Sequence, residues 1–226
     1  MDKTEDSLGP RPGGQAGGRC GMAGRGDARD LLLDACRDLH GAVEAHPRMA
    51  RLLSPDLDLA GLADSLTALH AGIARVEQWL AAEADPALAG LLPLCDSAAR
   101  LQADLGRLTG RTAMPPAPAG PFVPDALPLA MEPPVGTGSL WVLWGAHKGN
   151  AVVGAALARG LYPHTSFRSR YFTTLPEDRR RYERLLRLLR RLPPAEVDDR
   201  TVPQARAAFR ALLTALEQVP ARQSPA

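Results

Sequence analysis

The side chains best suited to chemistry are the five histidines, His40, His46, His70, His147 and His164. Two of them, His40 and His70, fall inside the clearest helical patterns. His40 shares a helix face with Leu33, Cys36 and Val43, which lie seven and four residues before it and three after. A histidine on such a stripe has two readings. It is a hydrogen-bonded core residue, or it is a neutral imidazole that binds a metal or haem iron while its second nitrogen is held by an acceptor. Glu44 lies one helical turn beyond His40 and is placed to be that acceptor. His70 sits beside Ile73, with Glu77 two turns along, and reads as a packed residue.

Gly145 and Gly149 are one turn apart on the same helix face. Each weakens a helix by about 1 kcal/mol relative to alanine. Three readings fit: something flat lies close to the bare backbone, the helix kinks, or another helix packs tightly there. Ala146, Ala151, Gly154, Ala155 and Ala156 nearby suit the last. The sequence holds no GxSxG, P-loop or HExxH pattern. Gly136-Thr137-Gly138 begins like a dinucleotide fingerprint, but Trp141 occupies the place of the third glycine and no strand precedes it. No glutamate is followed by histidine three residues on, which counts against a di-iron oxidase, whose helices commonly carry that pair.

These residues must be positioned by helices. From Asp27 to about Ala45, apolar residues recur every four positions, as Leu31, Ala35, Leu39 and Val43. From Asp58, a natural N-cap, Leu59, Leu62, Leu66, Leu69, Ile73, Val76 and Leu80 form a 3,4 repeat. Pro86 is expected to open a third helix through Leu88, Leu91, Leu92, Cys95, Ala99 and Leu105. Further helices are expected over about 138–159, 176–192 and 202–219. No stretch alternates in the way a strand requires, so the class is all-α, a single-domain helical bundle. Residues 1–26 are glycine-rich and read as a disordered tail, with residues 220–226 a flexible C-terminal one. Eight prolines between residues 114 and 134 mark an extended connection inside the one domain, 27–219.

The 226 residues carry 27 Lys and Arg against 25 Asp and Glu, a net charge of +2. This balance argues against a nucleic-acid coating protein. Aromatic residues make up only 4% and apolar residues 45%, so the core is built from leucine, alanine and valine. Three cysteines in no CxxC pair exclude a disulfide framework and fit a reducing cytoplasm. The longest apolar run, 140–157, contains His147 and Lys148, so neither a membrane span nor an export signal is expected. The arginine run Arg179 to Arg191 alternates with leucines and reads as the solvated face of an amphipathic helix.

Two stretches, Arg37-Asp38-Leu39-His40-Gly41-Ala42-Val43-Glu44 and Leu69-His70-Ala71 followed by Val76-Glu77, resemble the biliverdin-producing haem oxygenases, in the style of the bacterial branch that serves bacteriophytochromes. A later helix of that family carries a tyrosine-valine-leucine-glutamate-glycine-serine run closed by two glycines. Here the run is Leu140-Trp141-Val142-Leu143-Trp144-Gly145-Ala146-His147-Lys148-Gly149-Asn150. Tyr171-Phe172 and Ala207-Ala208-Phe209 add to the likeness, which covers about residues 28–219.

The resemblance implies that His40 is the proximal ligand to haem iron and that Gly145 and Gly149 are distal glycines against haem and its bound oxygen. Haem (heme b) would be both cofactor and substrate, giving biliverdin, carbon monoxide and iron. An external electron donor such as a ferredoxin or flavodoxin system is implied, and a phytochrome as acceptor of the product. Arg37, Arg168 and Arg170 are candidate cations for the haem carboxylates. Three positions depart from the pattern. Trp144 replaces glutamate, Ala146 replaces a small polar residue, and Asn150 replaces the second closing glycine. Ala146 has no group with which to hold an ordered water, and Lys148 lies about 60° from Gly145, at the pocket mouth. A non-catalytic haem binder or sensor on the same fold is therefore the alternative, and a helical interaction module using the arginine-rich helix is a further one.

Overall fold

The computed structural model describes residues 27–88, 96–110 and 135–220. Every regular element among them is helical, and they form one bundle without strands, as the all-α reading expects. The expected tail 1–26, all but the first residue of the expected tail 220–226, and the proline-rich connection 114–134 lie outside the described residues.

The first expected helix is two. Helix α1 (Ala28–Ala35) starts where the Asp27 carboxylate accepts the Arg29 and Asp30 amides at 2.9 and 3.1 Å. It stops at Cys36, whose φ of −109° and ψ of 4° leave the helical region, and α2 (Arg37–Ala45) follows. Arg206 stabilises the break from across the bundle. One of its guanidinium nitrogens donates to the Ala35 carbonyl, and two donate to the Asp38 carboxylate at 2.8 Å each. The arginine satisfies a helix-end carbonyl that has lost its intrahelical donor. Burial pushes the Cys36 thiol up to about 11, so it is a packed, protonated group.

After the short α3 (Pro47–Arg51), α4 (Leu59–Glu83) forms the centre of the bundle. Asp58 caps it as expected, accepting the Gly61 amide at 2.7 Å. Residues 68–74 are buried on all sides, including His70, whose proton affinity is lowered by desolvation. His70 is thus the packed residue its position suggested. Arg48 is nearly buried against Asp64 at 2.9 Å and donates to the carbonyls of Leu216 and Val219 at 2.6 Å each. It thereby fixes the end of the last helix to α3 and α4.

Among the described residues, the helix expected to open at Pro86 shows a 3-10 turn, Pro86–Leu88, and α5 (Ser97–Thr109) starts separately, after Asp96. The Asp85 amide bonds to the Val135 carbonyl at 3.0 Å, drawing the chain toward the next helix rather than into α5. Leu91, Leu92 and Cys95 lie outside the described residues. Asp96, at the N-cap of α5, makes no capping bond because its carboxylate holds Arg100 at 2.6 Å. Glu77 of α4 does the capping instead, accepting the amides of Ser97 and Ala98 at 3.0 and 3.3 Å.

Helices α6 (Thr137–Gly160), α7 (Pro176–Leu189), the three-residue α8 (Pro194–Glu196), a π-helical turn (Val197–Thr201) and α9 (Val202–Gln218) complete the bundle. Helix α9 packs on both α4 and α6, and α7 packs on α6. The loop between α6 and α7 is organised by Asp104, a fully buried carboxylate of α5. It accepts Ser169 Oγ at 2.6 Å and the amides of Arg170 and Tyr171 at 2.8 and 3.0 Å, and pairs with Arg107. Charge-assisted bonds of this kind offset the desolvation of the buried anion.

Candidate functional site between α2, α6 and α9

His40 lies on α2, where Val43 alone is buried. Its side chain is 55% exposed, so the expected place on an apolar stripe is corrected. The break at Cys36 re-aims α2, leaving Cys36 and Val43 buried and turning Leu33 and His40 outward. Nδ1 stands 3.6 Å from Glu44 Oε2, beyond hydrogen-bond distance, so the carboxylate one turn along is near the ring without holding it. The ring meets Phe209 of α9 edge to face at 5.6 Å. On its other side Phe209 meets Trp141 of α6, at 6.4 Å. His40 is therefore joined to α6 through two aromatic rings, and Trp141 is one turn before Gly145.

Helix α6 runs through Gly145 and Gly149 without a break. Close packing does not explain these glycines. A methyl added at Gly149 would meet nothing within 4 Å, and one at Gly145 would meet only Tyr182 Cε2, at 3.9 Å. Two other glycines of α6 carry the tight packing. At Gly138 a methyl would run into the Thr201 carbonyl and lie 2.7 Å from the Ala205 amide nitrogen; at Gly154 it would lie 2.7 Å from the Phe172 carbonyl. Glycine costs helix stability wherever it stands. Among the described residues, no packing contact repays that cost at Gly145 and Gly149.

Around this bare stretch, the His147 imidazole rests on Tyr182 of α7 at 4.9 Å, with Nδ1 2.6 Å from the Trp144 carbonyl. That bond places His147 against α7 and its own helix. Lys148 reaches over the same tyrosine, 5.8 Å from its ring centre. The indole nitrogens of Trp141 and Trp144 are buried, with no hydrogen-bond acceptor. Asn150 turns its amide toward the Tyr171 carbonyl, at 3.4 Å. Among the suggested carboxylate-binding cations, Arg37 is exposed and pairs with Asp34 at 2.7 Å. Arg168 lies on the Tyr162 ring and donates to Thr165 and Phe167 carbonyls, so it serves the loop. Arg170 is exposed and gives only its amide to Asp104.

The region brings together His40 with Glu44 one turn along, the buried rings of Phe209 and Trp141, and two α6 glycines, of which Gly149 is exposed and Gly145 half-buried. Among the described residues, no three His, Cys, Asp or Glu side chains cluster as a set of metal ligands. The aromatic wall was not apparent from the sequence. Phe209 was noted there only as part of a likeness, and Trp141 only as an interruption of a glycine pattern.

No family model, no curated protein and no solved structure matches the chain. No helix among the described residues is long and apolar enough to cross a membrane.

Proposed function

We propose that the chain binds haem through His40, with the exposed backbone at Gly145 and Gly149 facing the macrocycle, and cleaves it to biliverdin, carbon monoxide and iron as haem oxygenases do. The observation that carries this reading is the pair of α6 glycines that no packing contact among the described residues accounts for. The His40–Glu44 pair supports it. Bound haem supplies the redox iron and the oxygen chemistry. The protein's own residues would bind and orient it: His40 would hold the iron with Glu44 nearby, Phe209 would flank the imidazole, and the glycines would keep that part of α6 free of side chains. Electrons come from an external ferredoxin or flavodoxin system, the setting is the cytoplasm, and a phytochrome is the proposed acceptor of the product.

A second reading, a haem binder without turnover, is favoured by the distal side chains. Ala146 offers no hydrogen bond, and the Asn150 amide is turned toward Tyr171. Both readings are tested by titrating haem into the protein and into His40→Ala, then adding reductant in air. Binding that is lost in the variant, followed by a biliverdin spectrum, supports the oxygenase. A Soret band that survives reduction leaves the binder, and no binding at all removes both.

A further inference from the structure

Helix α5 turns Leu101, Asp104 and Leu105 into the bundle. On its other side Ala99, Gln102, Ala103, Gly106 and Arg107 line a groove of about 480 Å³, open to solvent among the described residues. Its floor is the small residues at 99, 103 and 106, and its polar members, Gln102 and Arg107, both carry N–H donors. The described chain leaves this helix at Gly110 and resumes at Val135, and those two points lie toward opposite ends of α6. Val135 stands two residues before α6 begins, and its carbonyl takes the Asp85 amide. Near the other end of α5, Arg107 donates to the Arg168 carbonyl, and Arg168 lies on Tyr162, just past the end of α6. Helix α6 has 24 residues and is about 36 Å long. The start of α5 is on the Val135 side, since Glu77, which caps it, is one turn from Leu80, and Leu80 packs against Gly136. The shortest return from Gly110 to Val135 therefore runs back along α5.

We propose that the groove is the docking surface for residues 115–124 of the same chain, bound as a polyproline II helix. The inference is independent of the haem reading. Pro115, Pro118, Pro121 and Pro124 recur at every third residue. A polyproline II helix has three residues per turn and rises about 3.1 Å per residue, so this spacing aligns four proline rings on one edge, about 9 Å apart. The groove floor from Ala99 to Gly106 spans seven residues of α-helix, about 10 Å, so one proline repeat fits it. Prolines leave the segment with carbonyls and few amides, and a polyproline II helix makes no internal hydrogen bonds. Its carbonyls need donors, which Gln102 and Arg107 supply. The same segment of a second copy would meet the same chemistry. The chain's own segment is favoured because the tether from Gly110 holds it near the groove at an effective concentration on the order of millimolar.

The test replaces residues 115–124 in the full chain by a Gly/Ser linker of equal length and adds those ten residues back as a fluorescent synthetic peptide. Fluorescence anisotropy should show that the linker protein binds the peptide at least tenfold more tightly than the wild type, whose groove is filled. Ala99→Glu or Ala103→Glu in the linker protein, each checked for helicity, should weaken the peptide at least tenfold. Absence of binding by the linker protein would overturn the inference. So would equal binding by linker protein and wild type, or binding that ignores both glutamates. Light scattering should give a monomeric wild type, and a dimer that dissociates on linker replacement would assign the groove to a second copy instead. Chymotryptic cleavage after Phe122 decides the matter in the intact chain if the linker protein does not fold. Ala99→Glu, at an exposed position, should speed that cut at least tenfold, and an unchanged rate would overturn the inference.

Discussion

The imidazole of His40 and the ring of Phe209 meet edge to face at 5.6 Å, and the histidine side chain is nevertheless more than half exposed. That combination is unusual for a structural histidine, which is normally buried and hydrogen-bonded. Here the polar edge faces Glu44 and solvent while one flank rests on an aromatic wall. His40→Ala should therefore change the stability of the haem-free protein by no more than about 0.5 kcal/mol, the range for surface substitutions. The same change should abolish stoichiometric haem binding. Chemical denaturation of the apoprotein and a Soret titration read the two effects separately, and a large loss of stability would return His40 to the core.

Gly149 offers the converse test. Its added methyl meets open space, so Gly149→Ala should stabilise the haem-free protein by about 0.5–1 kcal/mol through helix propensity alone. If a flat ligand lies on this backbone, the same methyl should weaken haem binding. Thermal melts with and without haem measure both, and the prediction is a higher Tm without haem and a smaller upward shift when it is added. A variant that gains stability with haem affinity unchanged would show that α6 does not face the ligand.

Gly138 should behave in the opposite way. Its methyl would be driven into the Thr201 carbonyl and the Ala205 amide, both of them backbone groups that cannot rotate aside. Gln204 Oε1 also accepts the Gly136 and Gly138 amides at 3.0 Å, tying the start of α6 to α9. Gly138→Ala should cost about 2 kcal/mol or more through overpacking and loss of this junction. Denaturant midpoints of the Gly138→Ala and Gly149→Ala proteins, compared side by side, would show the contrast between two glycines of one helix.

Much of the bundle was legible in the sequence, because leucine periodicity and caps such as Asp58 act locally. The ends of α6 and α9 fall within a residue or so of expectation for that reason. The misreadings have long-range causes. Cys36 breaks the first helix because Arg206, 170 positions on, takes the Ala35 carbonyl, and no local pattern encodes that bond. Proline at 86 signalled a helix start, but the capping group for α5 is Glu77, supplied by a different helix. Among the glycines, spacing singled out Gly145 and Gly149, yet which of them pack is decided by Thr201 and Phe172 across the bundle. For the site, the type and spacing of His40 and Glu44 were readable, whereas Phe209 and Trp141 joined them only through the tertiary fold.

Glu77 gives the protein a pH dependence near neutrality. Burial pushes its carboxyl up to about 7, and the amides of Ala98 and Ser97, which favour the anion, offset this only in part. The charged groups that face it are Asp96, which opposes ionisation, and Arg100, which favours it. Burial pushes the nearby Tyr171 hydroxyl up to about 12, and the Glu77 charge adds to that rise. An unfolded glutamate releases its proton near 4.5, so between about 4.5 and 7 the folded chain holds a proton that the unfolded chain has lost. Stability should therefore fall as pH rises through that window, by an amount of order 3 kcal/mol, and level off above 7. Asp178, held below the ordinary carboxylate range by Arg100, acts in the other direction and loses its contribution only at lower pH. Glu77→Gln keeps an acceptor for the α5 amides and removes the titrating group. Its stability should no longer fall as pH rises from 5 to 8, leaving the opposite, rising contribution of His70, whose burial disfavours the protonated imidazole, and at pH 8 it should match or exceed that of the wild type. Urea denaturation at several pH values in this range is the measurement, and a wild-type curve parallel to that of the variant would mean that Glu77 ionises normally.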